Sequence, residues 1–414
     1  MEQLIRNGRL SGTIHIPASK SDSQRAILCA ALSEGTSRLR GIGWSDDEKA
    51  MLNAVKALGA AVRFLSETEA EITGVQALSG PVELSAGESG LGLRLLTCVS
   101  AAFDQPVTLN GTGSLLNRPM HFFDEVLPQF GCKAATTDGF LPVRVKGPMA
   151  GAQVEVDGSM SSQFISGLLM ALPKSGKAGS LTVRDMKSGP YIQMTLKTLR
   201  KFGIEVEHQE NVFSIPGNQS YQATDYAIEG DWSSASYWLV ASAVGHTVSV
   251  SGLAMGSLQA DKAMLHALMS AGCKVQIEEQ EIRVDGSNLS PFEFDATDCP
   301  DLFPALVVLG AKCTGISTIK GAERLTHKES DRGVVLQSEF GKMGVNIVLD
   351  GDVMRIHGTG NLHGALVSSH HDHRIAMSLA IAATVAGGET RVQDAEAVAK
   401  SYPDFWEHFA SLSE

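Results

Sequence analysis

The sequence predicts an α/β protein built from six copies of one strand–turn–helix unit, and two recurring patterns predict it. The first pattern is a helix end of the type apolar-x-Gly-small-x-apolar. The second is a short strand, a polar turn and a helix of small and apolar residues. Both recur at intervals of roughly seventy residues, and such internal similarity is typical of a chain assembled from copies of one structural unit.

The helix-end pattern is centred on five glycines whose spacings are 72, 72, 69 and 72 residues: Gly59, Gly131, Gly203, Gly272 and Gly344. Glycine accepts the left-handed conformation that ends many helices. We therefore expect each of these glycines to close a helix, with a strand directly after it.

The strand–turn–helix pattern begins near Ile14, Val82, Val154, Tyr226, Phe292 and Leu366. A helix N-terminus carries unpaired N–H groups and a partial positive charge, so each of these starts is a candidate anion site. Serine and aspartate in such turns also serve as plain helix caps. Capping alone does not require the other charged side chains, or the imidazole, that the same turns carry. These residues are Lys20, Arg25, Arg94, Asp301, His373 and Arg374.

Length and composition restrict the possible functions. A chain of 414 residues is expected to form two or three domains, and its net charge of −12 argues against a nucleic-acid partner. Met1 to Gly12 lacks the apolar run of a signal peptide, and Ile375 to Gly388 is too short to span a bilayer, so we expect no membrane partner. The six cysteines form no CxxC pair and are expected to be reduced and buried in a cytoplasmic protein, with Cys299, in a polar run, as the exception to examine.

The turns of the first half combine cations with hydroxyl groups. Lys20 and Arg25 both face the start of one helix, where positive charge is unfavourable unless an anion binds. Ser161, Ser162 and Gln163 suit a ligand that carries phosphate and hydroxyl groups, and Ser188 with Tyr191 adds further hydroxyls. These residues predict a binding site for a phosphorylated small molecule.

The turns of the second half mix charges of both signs. The run Lys328–Arg332 follows Asp301, and on a helix Lys328 and Arg332 would share a face while Glu329 pointed elsewhere. His370–Arg374 contains three histidines, but the helical spacing of paired zinc ligands is absent, so no metal is expected. Lys400 is a single lysine in a turn before the last helix.

Eight motifs in the right order carry a family resemblance. They are S-K-S-x-S-x-R-A at 19–26, D-G-S-x-S-S-Q-F at 157–164, P-Y-I at 190–192, G-D-x-S-S-A-S-Y at 230–237, P-D at 300–301, K-E-S-D-R at 328–332, D-H-R-x-A-M at 372–377 and K-S-Y-P-D-F at 400–405. Along nearly its whole length the chain resembles the 5-enolpyruvylshikimate-3-phosphate synthases, which belong to the enolpyruvyl transferases.

The resemblance implies a two-domain inside-out α/β barrel with six βαβαββ-type repeats. Each domain would place three repeats about a pseudo-threefold axis. Residues 1–18 and 226–414 would form a discontinuous domain with donor-side catalytic residues, and residues 19–225 would form the domain that binds shikimate 3-phosphate. The active site would lie in the cleft between the domains.

The resemblance also implies the reaction and the role of each matching residue. The carboxyvinyl group of phosphoenolpyruvate would pass to the 5-hydroxyl of shikimate 3-phosphate through a tetrahedral ketal. The implied catalytic residues are Lys20, Asp301, Glu329 and His373. The implied contacts to shikimate 3-phosphate are Lys20, Ser21, Arg25, Ser161, Ser162, Gln163, Ser188, Tyr191, Asp301 and Lys328. The implied contacts to phosphoenolpyruvate are Lys20, Gly90, Arg118, Gln163, Arg332, Arg374 and Lys400.

No cofactor is expected, and the implied state is a monomer. Two alternatives stay open: a UDP-N-acetylglucosamine enolpyruvyl transferase, although the loop Gly111–Arg118 lacks the cysteine usual there, and a non-catalytic anion-binding relative. Glu88 and Leu91 depart from the family motif N-A-G-T-A-x-R. A carboxylate near two bound anions is costly without a cation, so we expect Glu88 to pair with Arg324.

Overall fold

The computed structural model describes residues 1–278, 281–326 and 328–414. The chain divides into two compact units. One unit, here called the continuous unit, is Ala18–Glu229; the other, called the divided unit, combines Met1–Pro17 with Gly230–Glu414.

The chain starts in the divided unit with β1 (Glu2–Arg6) and β2 (Ser11–His15). The continuous unit then runs through α1 (Lys20–Leu32), β3 (Thr36–Arg40), α2 (Asp46–Ala57), β4 (Ala61–Phe64), β5 (Glu69–Thr73), β6 (Val82–Ser85), α3 (Gly90–Ser100), β7 (Val107–Asn110), α4 (Phe122–Val126), β8 (Lys133–Thr137), β9 (Phe140–Lys146), β10 (Gln153–Asp157), α5 (Ser162–Ala171), β11 (Gly179–Arg184), α6 (Gly189–Lys201), β12 (Glu207–Gln209), β13 (Val212–Ile215) and β14 (Asp225–Ala227). Short 3₁₀ turns lie at Gly113–Asn117, Leu127–Phe130 and Leu172–Ser175.

The divided unit resumes with α7 (Trp232–Ala243), β15 (Thr247–Ser251), α8 (Met264–Ser270), β16 (Lys274–Glu278), β17 (Glu281–Asp285), β18 (Glu293–Asp295), α9 (Phe303–Lys312), β19 (Thr314–Lys320), α10 (Arg332–Lys342), β20 (Asn346–Asp350), β21 (Val353–Thr359), β22 (Leu362–His363), β23 (Leu366–Ser368), α11 (His373–Thr384), β24 (Ala386–Gly387), β25 (Glu389–Gln393) and α12 (Phe405–Leu412). Its 3₁₀ turns are Ala260–Ala263, Pro300–Leu302, Ala322–Leu325 and Ala395–Lys400.

The sheets share one pattern of pairing. In the continuous unit the strand orders are β14-β3-β5-β4, β6-β7-β9-β8 and β10-β11-β13-β12, and in each sheet the first pair is parallel and the other two are antiparallel. In the divided unit the orders are β2-β15-β17-β16, β18-β19-β21-β20, β1-β25-β23 and β22-β24. A single helix joins the strands of the parallel pairs β6–β7, β10–β11 and β18–β19, as in other parallel crossovers.

The strands beside the two passages of the chain between the units pair within their own unit. β2 precedes α1 but pairs with β15, whereas β14 precedes α7 but pairs with β3. The N–H of Ser19 donates to the carbonyl of Glu229 over 2.7 Å. The boundary after Glu229 lies beyond the expected 225/226 because these contacts hold β14 in the continuous unit.

The five predicted helix-closing glycines all adopt positive φ, at +105°, +77°, +76°, +85° and +87° in chain order. Strands follow at once after Gly59, Gly131, Gly272 and Gly344. After Gly203 the expected immediate strand is wrong, because the backbone of Glu205 bonds to the side chain of Gln219 instead. β12 begins only at Glu207.

The helices α3, α7 and α11 are buried along their entire length. A helix that is buried all round needs small and apolar side chains on every face, which agrees with the Ala-, Ser- and Gly-rich segments of the sequence. Within the described residues, no helix has the length and apolar character needed to cross a membrane.

Candidate active site

The helices α1, α3 and α5 of the continuous unit begin with serine caps. The hydroxyls accept backbone N–H groups as follows: Ser19 from Asp22 over 3.4 Å, Ser89 from Gly92 over 3.0 Å, and Ser161 from Gln163 over 3.3 Å. Each cap satisfies only part of the unpaired N–H groups of its helix. The charged side chains beside these caps therefore decide whether the helix starts form a site.

Side chains bring the starts of α1, α3 and α5 together. The Ser89 hydroxyl donates to Gln24 Oε1 over 2.9 Å, which joins α3 to α1. Arg94 Nη1 donates to Gln163 Oε1 over 2.5 Å and lies over the ring of Phe164, which joins α3 to α5. The predicted residues Ser161, Ser162 and Gln163 are thus beside the basic side chain of α3.

Arg25 is a fully buried cation that is held by neutral oxygens. Its guanidinium donates to Thr195 Oγ1 at 2.8 Å, to the Ser21 carbonyl at 2.7 Å, to the Tyr191 carbonyl at 3.3 Å and to Ser166 Oγ at 3.4 Å. Burial lowers its pKa to about 10, although Asp22 acts in the opposite direction. These contacts bring α1, α5 and the start of α6 around one positive charge.

Gly90, the first residue of α3, lies against two further guanidinium groups. A Cβ at this position would collide with Nη1 of Arg118 and approach Nη1 of Arg94 to 3.3 Å. Both arginines are buried. Glycine is required at residue 90 for Arg118 to take this place, and together with Arg25 these cations can receive anionic ligand groups.

Glu88, the departure from the family motif, packs against Gly113. A Cβ at Gly113 would collide with the Glu88 carboxylate, and Gly113 has φ +57°. This glycine provides the space for the longer acidic side chain. Glu88 and Arg324 belong to different units, and their ion pair stays a prediction; burial lowers the pKa of Arg324.

The other predicted residues of the continuous unit surround the same helix starts. Lys20 is the first residue of α1 and its Nζ lies 3.0 Å from Asp47 Oδ2. Ser162 and Ser188 are buried, and the N–H of Tyr191 donates to the Ser188 carbonyl over 3.1 Å. Ser188 has φ +54°, a conformation that non-glycine residues seldom adopt.

In the divided unit, three cations contact the carboxylate of Asp301. Lys328 Nζ and Arg332 Nη1 lie 3.2 Å and 2.9 Å from Oδ1, and Arg374 Nη2 lies 3.0 Å from Oδ2. Burial raises the pKa of Asp301, but Arg374, Lys328 and Arg332 outweigh it and hold the pKa well below its usual range. The carboxylate is therefore ionised.

Arg332 is fully buried among three carboxylates. Its Nε and Nη2 donate to Asp372 at 2.9 Å and 3.2 Å, Nη2 also donates to Glu329 at 2.8 Å, and Nη1 donates to Asp301. Four of the five N–H groups of a guanidinium are used in this way. Burial lowers the pKa of Arg332, but Asp372, Glu329 and Asp301 outweigh burial and raise it.

The expectation that Glu329 points away from Arg332 is wrong. α10 begins only at Arg332, because Asp331 caps it by accepting the N–H of Val334 over 3.3 Å. Lys328 and Glu329 therefore lie in the turn before the helix. From there both side chains reach the cluster around Asp301 and Arg332.

Asp372 orients the start of α11. Its carboxylate accepts the N–H of Arg374 over 2.9 Å in addition to its two bonds from Arg332. His373, the first residue of α11, is buried with Nδ1 3.6 Å from Asp372 Oδ1. Lys400 is buried at the end of the turn Ala395–Lys400.

Asp261 is a carboxylate of this cluster that sequence reasoning missed. It is fully buried, the Ser233 hydroxyl donates to it, and it interacts electrostatically with Asp301 and Arg374. Burial and the charge of Asp301 raise its pKa to about 6. The run Gln259-Ala260-Asp261 between a strand and a helix was the available signal, but a single acidic residue in a turn indicates no function by itself.

The predicted site residues thus form two groups. The continuous unit holds Lys20, Ser21, Arg25, Gly90, Arg118, Ser161, Ser162, Gln163, Ser188 and Tyr191. The divided unit holds Asp301, Lys328, Glu329, Arg332, His373, Arg374 and Lys400. Cys299, two residues before Asp301 in the sequence, is buried, and burial raises the pKa of its thiol. A thiol held in its neutral form is a poor nucleophile.

Known proteins resemble this chain along its full length. Residues 5–409 match the family model described as EPSP synthase (3-phosphoshikimate 1-carboxyvinyltransferase). A 3-phosphoshikimate 1-carboxyvinyltransferase of Clostridium botulinum is 36% identical over 99% of this chain and 96% of its own length. The corresponding protein of Clostridium perfringens strain SM101 is 36% identical over 99% and 98%.

Solved structures agree with these sequence matches. The EPSP synthase of Acinetobacter baumannii superposes with a TM-score of 0.83 at 27% identity, covering 100% of this chain and 98% of that one. The enolpyruvyl transferase NikO of Streptomyces tendae has a TM-score of 0.78 at 18% identity, covering 100% and 98%, and this match supports the fold alone.

Proposed function

Because the chain belongs to the EPSP synthase family, we propose that it transfers the carboxyvinyl group of phosphoenolpyruvate to the 5-hydroxyl of shikimate 3-phosphate and releases phosphate. The observation that carries the chemistry is the Asp301 carboxylate within 3.2 Å of Lys328, Arg332 and Arg374. One ionised carboxylate among three cations places a proton acceptor next to groups that bind anions.

The continuous unit is proposed to hold shikimate 3-phosphate. Its hydroxyl and amide contacts would be Ser21, Ser161, Ser162, Gln163, Ser188 and Tyr191, with Lys20 and Arg25 as the cations. The support is electrostatic. Arg25 is charged, yet among the described residues its hydrogen bonds go to neutral oxygens, so a phosphate or other anion would complete its environment. Asp301 and Lys328 of the divided unit would contact the reacting hydroxyl side.

Phosphoenolpyruvate is proposed to bind to cations of both units. Arg332, Arg374 and Lys400 come from the divided unit, and Lys20, Gly90, Arg118 and Gln163 come from the continuous unit. The support is the packing of Arg118 against Gly90, which only a residue without Cβ permits. Two anionic groups on one small donor require several cations, and in this proposal both units would supply them.

Asp301 is proposed as the base that takes the proton of the attacking hydroxyl. The hydroxyl oxygen bonds to C2 of phosphoenolpyruvate, and the methylene carbon gains a proton, which forms the ketal. The methyl group then returns a proton and the C–O bond to phosphate breaks. Glu329 and Lys20 would carry these protons, and His373 would assist through a hydrogen bond.

The low pKa of Asp301 suits this role only when ligands are bound. Without ligands, Arg374, Lys328 and Arg332 stabilise its anion, and a strongly stabilised carboxylate accepts protons weakly. Anionic substrate groups that take over part of these cations would weaken that stabilisation and raise the pKa of Asp301. Substrate binding would therefore prepare the base for proton transfer.

We also propose the finer architecture of a two-domain inside-out α/β barrel with six βαβαββ-type repeats. Its support is the shared strand order of five four-stranded sheets and the burial of α3, α7 and α11. The six cysteines, all free and buried, are compatible with the reducing cytoplasm proposed for the protein. The monomeric state stays a prediction.

Phosphate release from phosphoenolpyruvate tests the function. With shikimate 3-phosphate as acceptor we expect release, and with UDP-N-acetylglucosamine we expect none. Asp301→Asn should remove activity, whereas Asp298→Asn, an exposed carboxylate in the same loop, should keep it. Release with the nucleotide sugar alone would favour the rival transferase, and no release from folded protein would favour a non-catalytic relative.

A further inference from the structure

The segment between β23 and α11 contains two consecutive residues in the left-handed region. His370 has φ +51° and His371 has φ +57°. Nearby, Asp394 has φ +54° and directly precedes the turn that ends at Lys400. Non-glycine residues persist in this conformation only where the surroundings hold them, and they concentrate at functional sites.

Glu339 of α10 holds this segment from one side. Its buried carboxylate accepts the Ser368 N–H on Oε2 at 2.9 Å and the His370 Nε2 on Oε1 at 3.0 Å. Lys342, one turn further along α10, donates to both oxygens. Burial raises the pKa of Glu339, but the hydrogen bonds from Lys342, His370 and Ser368 outweigh burial and lower the pKa below its usual value. The carboxylate is therefore ionised.

Arg332 and Glu339 form hydrogen bonds with the two ends of the segment between β23 and α11. They are seven residues apart on α10, which is nearly two helical turns, so their side chains lie on one face. Arg332 binds Asp372 at the start of α11, whereas Glu339 binds Ser368 and His370 at the end of β23. The segment is therefore held at both ends by one rigid helix.

Asp394 connects the same segment to Lys400. Its carboxylate accepts the Ser368 hydroxyl at 2.8 Å, and its carbonyl accepts the Ser369 hydroxyl at 2.9 Å. The carbonyl of Ser369 in turn accepts the N–H of Asp372 at 2.9 Å. One strained segment thus joins the elements that carry Arg332, Arg374 and Lys400.

We propose that Glu339 and His370 are positioning residues that hold segment 368–371 in its strained form and thereby fix Arg374 and Lys400 relative to Arg332. This inference rests on the proposed function, in which those three cations bind phosphoenolpyruvate. Neither Glu339 nor His370 touches substrate in this scheme. Both act through the backbone of the segment.

Variants at Glu339 separate positioning from general stability. Glu339→Ala should lower kcat/KM for phosphoenolpyruvate about 10- to 100-fold, because displacing a contact group by about 1 Å costs up to about 100-fold. Glu339→Gln should show a smaller loss in the same direction. The KM for shikimate 3-phosphate should stay within about twofold, because its proposed contacts lie mainly in the continuous unit. Glu389→Ala, at an exposed carboxylate of β25 that pairs with Arg6, is the matched control and should behave as wild type.

A series at His371 tests the backbone conformation itself. His371→Gly and His371→Asn can keep positive φ, whereas the β-branched side chain of His371→Val opposes it. We expect the valine variant to lose donor-dependent kcat/KM as Glu339→Ala does, and the glycine and asparagine variants to retain it. Full activity of the valine variant, or equal losses for both substrates in the Glu339 variants, would overturn the inference.

Hydrogen exchange decides the inference independently of turnover. The amides of Asp372 and Arg374 are bonded to Ser369 and Asp372, respectively. They should exchange faster in Glu339→Gln than in wild type or Glu389→Ala. A wild-type protein that releases no phosphate would reject the proposed function alone, whereas unchanged exchange in Glu339→Gln would reject the positioning role alone.

Discussion

Two buried arginines, Arg25 in the continuous unit and Arg332 in the divided unit, differ in the charge of the groups that accept their hydrogen bonds. Among the described residues, Arg25 donates to neutral oxygens only, and burial lowers its pKa to about 10. Arg332 donates to three carboxylates, which raise its pKa despite burial.

The difference indicates a difference of task. A cation without a carboxylate partner gains most from an arriving anion, so Arg25 suits recognition of phosphate. A cation saturated by carboxylates gains less from a further anion, but it keeps those carboxylates ionised and in place. In the proposed mechanism, Arg332 would therefore organise Asp301 and Glu329 for proton transfer and would also contribute to the donor site.

Removal of the Asp301 carboxylate should have the largest effect on activity. Asp301→Asn should lower kcat about 10²- to 10⁴-fold, the range for loss of a catalytic acid–base group. The affinity for phosphoenolpyruvate should be retained or rise, because Arg374 and Lys328 lose an anionic competitor and come to resemble Arg25. Steady-state kinetics together with donor titration measure both effects. A large loss of donor affinity with intact kcat would show that Asp301 binds rather than catalyses.

Replacing each arginine by methionine should separate them in stability. Arg332→Met leaves buried carboxylates without their partner, so the free energy of unfolding should fall by about 3–5 kcal/mol. Arg25→Met leaves only neutral acceptors, and the fall should be about 1 kcal/mol. Urea unfolding of the two variants, side by side, provides the measurement. Equal losses would contradict the proposed electrostatic difference between the two units.

A conservative change at Arg25 tests whether its guanidinium binds shikimate 3-phosphate. Arg25→Lys keeps the charge but cannot reproduce a guanidinium with four acceptors, so the KM for shikimate 3-phosphate should rise about 10-fold. The KM for phosphoenolpyruvate should stay nearly constant. Arg38→Lys, at an exposed position of β3 in the same unit, is the control. If only the KM for phosphoenolpyruvate rose, Arg25 would contact phosphoenolpyruvate and not shikimate 3-phosphate.

The elements of the fold were predictable because local rules determine them. The five glycines at helix ends have positive φ as expected, since few other residues take that conformation without strain. The strand near Tyr226 was also predictable, but its partner was not. Its pairing with β3 joins segments almost 190 residues apart, and no local pattern encodes such a contact.

The site was predictable where motifs placed charge at helix starts. Asp301 and Arg332 belong to motifs, whereas the direction of Glu329 depended on the residue at which α10 begins. Asp331 determines that start by capping the helix, and this displaced the expected face. Asp261 was missed because its importance arises only from burial beside Asp301, which depends on tertiary structure.

Asp261 and Asp301 offer the smallest and most specific test, because their pKa values move in opposite directions within one cluster. Burial raises the pKa of Asp261 to about 6. The negative charges of Asp301 and Asp231 act in the same direction, and the positive charge of Arg374 opposes them. The unfolded chain ionises near pH 4, so the native state binds the extra proton between about pH 4 and about pH 6. Stability from this proton is present at low pH and is lost as pH rises through about 6.

Replacing Asp261 by asparagine removes that dependence. Between about pH 5 and about pH 7 the wild type should lose about 1.4 kcal/mol relative to Asp261→Asn, which corresponds to about one pH unit of proton release. Asp301→Asn should differ in sign, because its lowered pKa makes the carboxylate stabilising above about pH 4 and that gain disappears only in acid. Urea unfolding at both pH values measures the change. A constant difference between wild type and Asp261→Asn would mean that Asp261 stays ionised, and the cluster would then carry one more negative charge near Arg374 at every pH where the enzyme works.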